Sequence, residues 1–208
     1  MNVLVIGSTG KTGLELIKEA MRQGHAVTAF ARRPEALHEF PTLNVIKGDA
    51  LNPSDLEQAM VNQDVVLSAL GAPLGQPVGK VRSIGTQNII SAMKAQNVSR
   101  LIVVSTIGVD ESKPNMGFLA RLFIPRIIGA ERLEEVERQE RLVKASGLNW
   151  TLVRPPQLKD GEPLDTVSAA SSLKTKFADS LRRADLARFM IEQISRVNFA
   201  SQAVSAVN

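Results

Sequence analysis

Val3-Leu4-Val5-Ile6-Gly7-Ser8-Thr9-Gly10-Lys11-Thr12-Gly13 decides how this chain folds. Four apolar, largely β-branched residues read as a buried strand, and the G-x-x-G-x-x-G that follows reads as a sharp turn into a helix. At that spacing the glycines have separate tasks. One permits the tight turn, one lets backbone approach a pyrophosphate, and one lets the helix pack on the strand. Amides at the start of the helix then face the phosphates, where the helix dipole favours negative charge. The predicted seat comprises Gly7, Thr9, Gly10, Lys11, Thr12 and Gly13. Lys11 either reinforces the phosphate contact or points to water. Gly10-Lys11-Thr12 also ends like a nucleoside-triphosphatase P-loop, but the glycine that motif needs five positions earlier is Val5. A purely structural glycine turn is the plainer alternative, although three glycines so spaced serve no packing need by themselves.

Outward from this turn, strand-like and helix-like stretches alternate. Strands are predicted over 26–31, 43–47, 64–69, 100–105 and 150–154, and helices over 81–96 and 131–145. Asn52-Pro53-Ser54-Asp55 marks another helix start, with a side-chain cap, proline in the first turn and an acid near the dipole. The pattern amounts to two βαβαβ halves. It predicts a single α/β domain of the Rossmann type over 1–208, a doubly wound parallel sheet with helices on both faces. Ligand belongs at the carboxyl ends of the strands, near the switch between the first and the fourth. After Pro155 the pattern is less regular, with a last helix near 183–194 and an edge strand at 202–207.

The chain has 208 residues, 44% of them hydrophobic, enough for one domain with a sizeable core. No apolar run is long enough to span a bilayer, and the N-terminus opens directly into a strand. Cysteine is absent, which removes disulfides and thiolate chemistry and favours a cytoplasmic location. A net charge of +4 with scattered basic residues suits small anionic ligands better than nucleic acid. No membrane partner is expected either. Two separated histidines and no cysteine argue against a metal site.

The second strand ends Phe30-Ala31-Arg32-Arg33, with no carboxylate before Glu35. A carboxylate there would hydrogen-bond a ribose 2′-hydroxyl and select NAD, whereas arginine suits a 2′-phosphate. One charge-assisted bond contributes roughly 1.5–3 kcal/mol, so Arg32 and Arg33 predict a preference for NADPH over NADH of about ten- to a hundredfold. The alternative is that both are solvated loop charges.

These features together resemble the atypical short-chain dehydrogenase/reductase superfamily and, within it, the biliverdin-IXβ reductase/flavin reductase group, which has NmrA-like relatives. The resemblance runs nearly end to end: Gly7–Gly13, Gly48-Asp49, Ala69-Leu70-Gly71, Asn88 to Ala95, Ser146-Gly147-Leu148, Arg154-Pro155-Pro156 and Asp185 to Met190. It implies that Asp49 and Ala50 lie along the adenine, and that Ala69, Leu70 and Gly71 pass near the adenosine ribose and pyrophosphate. It further implies that Ser105 and Thr106 face the nicotinamide and that Pro155 and Pro156 border it. Asp49 has an equal reading as a turn-former after glycine.

Most short-chain dehydrogenases acting on carbonyls use a tyrosine with a lysine one helical turn on, yet this chain contains no tyrosine. The helix that would carry the pair is rich in charge. Glu134–Arg138, Glu137–Arg141 and Glu140–Lys144 are i,i+4 pairs, which predicts a solvated face for most of these charges and a buried stripe of Leu133, Val136 and Val143. Tyrosine-acid chemistry is thereby excluded. The resemblance then implies hydride transfer to a conjugated acceptor, with Thr106 as the hydroxyl beside the nicotinamide, Ser105 its neighbour, and the proton from solvent. Thr106 has the alternative of bonding only cofactor or loop.

Substrate contacts are expected from segments 108–130 and 155–182. The first carries Met116, Phe118, Leu119, Leu122, Phe123 and Ile124 amid Lys113, Arg121 and Arg126. Apolar side chains with cationic neighbours suit a planar ring bearing phosphate or carboxylate, held by Phe118 or Phe123. A packed helix or a homodimer contact would explain the same residues. The function expected is an NADPH-dependent oxidoreductase acting on a flavin such as FMN, a biliverdin-like tetrapyrrole or a quinone. The competing class is a non-catalytic NADP(H)-binding sensor or assembly protein.

Overall fold

The computed structural model describes residues 1–40, 42–72 and 75–208. In chain order its elements are β1 (Asn2–Ile6), α1 (Lys11–Arg22), β2 (Ala26–Ala31), β3 (Asn44–Lys47), α2 (Pro53–Ala59), β4 (Val65–Ser68), α3 (Val81–Ala95) and β5 (Arg100–Val104). They continue as α4 (Phe118–Ile128), α5 (Ala130–Lys144), β6 (Asn149–Arg154), β7 (Gln157–Lys159), β8 (Ser168–Ala170), β9 (Ser180–Arg182), α6 (Arg183–Ser195) and β10 (Gln202–Val207).

Alternation within β1 sets the layers. Val3 and Val5 face one side with Leu16 and Ile17 of α1 and Leu186 and Met190 of α6. Leu4 and Ile6 face the other with Leu56 of α2, Ile89 and Met93 of α3, and Val143 of α5. Successive strand residues point to opposite faces, so a strand apolar at every position must be covered on both. Asn52 caps α2 as expected, its side chain accepting from Ser54 N, with Pro53 in the first turn.

The sheet order is β3-β2-β1-β4-β5-β6-β10-β8. The order reverses between β1 and β4, where the two halves of the alternating pattern predict the switch. One prediction is corrected. Residues 202–207 are not an edge strand, because β10 runs parallel to β6 with Gln202 opposite Thr151 and Ser205 opposite Arg154. The edge is β8, antiparallel to β10, so the sheet is mostly rather than wholly parallel. The chain past α6 fills the free side of β6, and three short residues then cover the new edge.

A second correction concerns α5. Leu133, Val136 and Val143 are buried as predicted, but so are Glu135, Gln139 and Glu140. Glu137 pairs with Lys113 at 2.6 Å, a partner outside the helix. Most charges of this helix stay unburied as expected, while Glu135 and Gln139 turn to α3 and Glu140 turns to Ser105 and Arg154.

Candidate active site

The turn after β1 is built around two glycines that nothing else can replace. Gly7 has φ +81°, and a Cβ there would lie 2.7 Å from Ala69 O at the end of β4. A Cβ on Gly13 would lie 2.2 Å from Gly7 O. Gly10 N donates to Gly7 O at 3.1 Å, closing the turn. Ser8, which sequence reasoning passes over, is fully buried and donates from Oγ to Phe30 O at 2.8 Å, fixing the turn to the end of β2. Among the described residues no side chain caps α1, and its first turn holds no acid, so the leading amides and the dipole face the end of the sheet. Thr9 and Thr12 are half-buried at this rim. Lys11 is exposed and pairs with Asp160 at 2.7 Å, so it ties α1 to the segment after β6.

Arg32 and Arg33 are both exposed after β2. Asp49 acts as a turn-former: its Oδ1 accepts from Leu51 N at 3.0 Å while its own amide donates to Asp55 at 2.8 Å. Ala50 is buried in the core, and its carbonyl accepts from Asn88 of α3 at 3.0 Å. Ala69 continues β4 by donating to Ile6 O at 2.9 Å; Leu70 is buried, and Gly71 opens onto the surface.

At the ends of β5 and β6 the two hydroxyls part company. Ser105 is buried and donates from Oγ to Glu140 Oε1 at 2.5 Å, so its hydroxyl is already committed. Thr106 is half-buried, with Oγ1 3.5 Å from Pro155 O, a marginal bond that leaves the hydroxyl able to turn. Ile107 N donates to the same Pro155 carbonyl at 3.2 Å and holds the two loops together.

Behind Ser105 lies a charge network. Arg154 Nε and Nη2 donate to the two oxygens of Glu140 at 2.8 and 2.5 Å, and Nη2 also reaches Glu111 at 2.6 Å. Lys144 bonds Asp110 at 3.1 Å and Glu111 at 2.8 Å. Asp110, Glu111 and Glu140 converge closely enough to hold a cation, but Arg154 and Lys144 already supply the positive charge there. Burial pushes the Glu111 carboxyl up, and hydrogen bonds from Lys144 and Arg154 outweigh it, leaving Glu111 at about 2.

The two segments expected to meet substrate are brought together. Met116 bridges Thr175, Gly117 N donates to Thr175 O at 2.8 Å, and Thr175 N donates to Asn115 O at 3.0 Å. Phe123 of α4 packs on Phe177, ring centroids 5.7 Å apart and tilted by 56°. The unit lies beside Gly108 in the loop after β5, where a Cβ would come within 3.6 Å of Ile124 and Met116. Phe118 stands apart, 80% exposed on the α4 face turned away from buried Ala120.

Two arginines at this end carry no local sequence signal. Arg82, at the start of α3, donates to Gln139 Oε1 at 3.0 Å and to Val104 O at 3.4 Å. Arg132, at the start of α5, donates to Ala72 O and to Gln76 O in the segment after β4.

The family model described as NAD(P)H-binding matches residues 7–196. An uncharacterised chloroplastic protein of Arabidopsis thaliana is 28% identical over 99% of this chain and 76% of that protein. The divinyl chlorophyllide a 8-vinyl-reductase of the same plant is 27% identical over 98% of this chain, which spans 52% of its length. The photosystem II assembly factor Ycf39 of Cyanophora paradoxa is 27% identical over 74% of this chain and 44% of that protein. Among solved structures, the anaerobillin reductase ChuY of Escherichia coli O157:H7 superposes with a TM-score of 0.83 at 21% identity, covering 100% of this chain and 97% of that one. At that identity the likeness speaks for the fold alone.

Proposed function

The chain belongs to the NAD(P)H-binding family, and from that premise we propose that it is an NADPH-dependent reductase passing hydride to a planar conjugated acceptor. Candidates are a flavin such as FMN, a biliverdin-like tetrapyrrole or a quinone. The observation that carries this reading is the joined pair of segments at the end of β5, where Phe123 and Phe177 pack together. A paired aromatic surface beside the reacting end suits a ring system, and the chain has no tyrosine to protonate a ketone.

The residues present fit the cofactor. Side chains at positions 7 and 13 would collide with the backbone that shapes the seat, and the amides opening α1 have no capping side chain among the described residues. Gly7, Gly10 and Gly13 would hold the pyrophosphate, with Thr9 and Thr12 at its rim. Arg32 and Arg33 would take the 2′-phosphate in two-pronged contacts. Ala69, Leu70 and Gly71 would flank the ribose, and Asp49 would position the adenine loop through its turn. When bound, the reduced nicotinamide supplies a hydride. Thr106 would hold its hydroxyl toward the nicotinamide, and Pro155 would border it. Water delivers the accompanying proton, so positioning is the chief contribution of the protein. The lack of cysteine fits a reducing compartment, the cytoplasm in this reading.

Steady-state loss of NADPH with FMN, biliverdin and a quinone tests this. Saturable turnover with one of them, weaker with NADH, supports the reductase. Tight NADPH binding with no acceleration by any of them leaves a sensor or assembly protein as the better account.

A further inference from the structure

The Arg82 guanidinium lies across the mouth of the switch. A Cβ built on Gly71 would sit 2.6 Å from its Nη2 and 3.1 Å from its Cζ, so the guanidinium covers the end of β4. Its Nη1 reaches Val104 O at the end of β5 and Gln139 of α5. Gly71 has ordinary backbone angles, and the atoms that crowd a Cβ there all belong to the Arg82 guanidinium, which a side chain at 71 would push aside. Two features make the arginine unusual. Its Nε is buried, with no hydrogen-bond partner among the described residues. Its nearest charged neighbours are Glu135 and a second arginine, Arg132, and the carboxylate of Glu135 is already engaged by Ser83 Oγ at 2.9 Å and Arg138 at 3.1 Å. Burial, with the like charge of Arg132 added, brings Arg82 down to about 10. A buried donor left without a partner costs roughly 1–3 kcal/mol, more when it is charged. Two cations held together at a ligand-binding end are relieved by an anion.

We infer that Arg82 is the anion-binding residue of the reaction centre, its Nε donating to a phosphate or carboxylate oxygen of a ligand seated between the ends of β4 and β5. The assignment rests on the site proposed above, and it adds that the acceptor carries an acidic substituent or that the cofactor diphosphate reaches this far. Gly71 keeps the guanidinium in place, and Gln139 anchors it from behind. Arg132 contributes field from the start of α5.

The test is to follow the Arg82 Nε–H resonance by nitrogen–proton NMR, assigned through its side-chain carbons in the wild-type chain. Three additions are made: inorganic phosphate, NADP⁺, and then FMN or riboflavin to NADP⁺-saturated protein. A saturable downfield shift with phosphate establishes the anion site whether or not any flavin is reduced. A shift with NADP⁺ alone assigns the site to the cofactor diphosphate. A shift with FMN but not riboflavin assigns it to the acceptor, because the two differ in the phosphate. A shift with phosphate but with neither FMN nor riboflavin leaves the anion site standing and counts against the flavin reading. Gly71→Ala should weaken the responding anion by about ten- to a hundredfold, the loss of one charge-assisted bond. A resonance unmoved by phosphate, NADP⁺ and FMN alike overturns the inference.

Discussion

Glu140 and Arg154 form a two-pronged ion pair with both side chains buried, and Ser105 donates its hydroxyl to the same carboxylate. The pair joins α5 to the end of β6 and fixes the loop that begins at Ser105. Its removal should be felt first in stability. Breaking a buried pair from one side leaves an uncompensated charge and costs about 3–5 kcal/mol. Glu140→Ala should unfold at correspondingly lower urea, and the double variant with Arg154→Leu should recover part of the loss. Equal destabilisation in the single and double variants would contradict this.

Acid should unfold the chain through Glu111. Its folded pKa of about 2 lies below the ordinary 4.5 of an unfolded glutamate, so its contribution is complete above about pH 4.5. That contribution is lost as the pH falls from there toward 2. Glu111→Gln should therefore lower stability near neutrality, where the wild-type contribution is complete, and flatten the stability–pH curve across this window so that the two chains converge in acid. Urea titrations at a series of pH values read the slope directly.

Gly13→Ala places a methyl 2.2 Å from one backbone oxygen and 2.7 Å from Ser8 Cα, and backbone cannot swing aside. Overpacking of this kind costs about 1–3 kcal/mol. The variant should melt earlier and lose NADPH binding, measured by nicotinamide fluorescence. Gly24→Ala, with open space around it but a left-handed backbone at φ +79°, should also melt earlier and yet keep binding.

Much of this architecture is legible in the sequence because its causes are local. The glycine spacing, the apolar strands and the Asn52 cap each act within a few residues. The edge strand misleads because Ser168-Ala169-Ala170 is too short and small to announce itself. Glu140 had a signal that charge hides: it falls four residues after Val136 and three before Val143, inside the buried stripe. Ser8, Arg82 and Arg132 had none, since their roles arise from β2, β4 and β5 ends far away in sequence.

Arg32→Ala and Arg33→Ala should each raise the NADPH dissociation constant by about ten- to a hundredfold, one charge-assisted contact apiece, and leave NADH binding unchanged. Equal losses for the two cofactors would mean that neither guanidinium meets a 2′-phosphate.

Thr106→Val should lower kcat about fivefold, the worth of one ordinary hydrogen bond, while Thr106→Ser retains activity. Ser105→Ala should act instead on the urea midpoint, because its hydroxyl serves Glu140.

The most direct measurement is a single-turnover mixing of the NADPH-loaded protein with FMN under anaerobic conditions, repeated with NADPH deuterated at the transferred position. The account predicts that nicotinamide and flavin absorbance fall in phase, and that deuterium slows both. Full occupancy by NADPH with no change in either absorbance would contradict it.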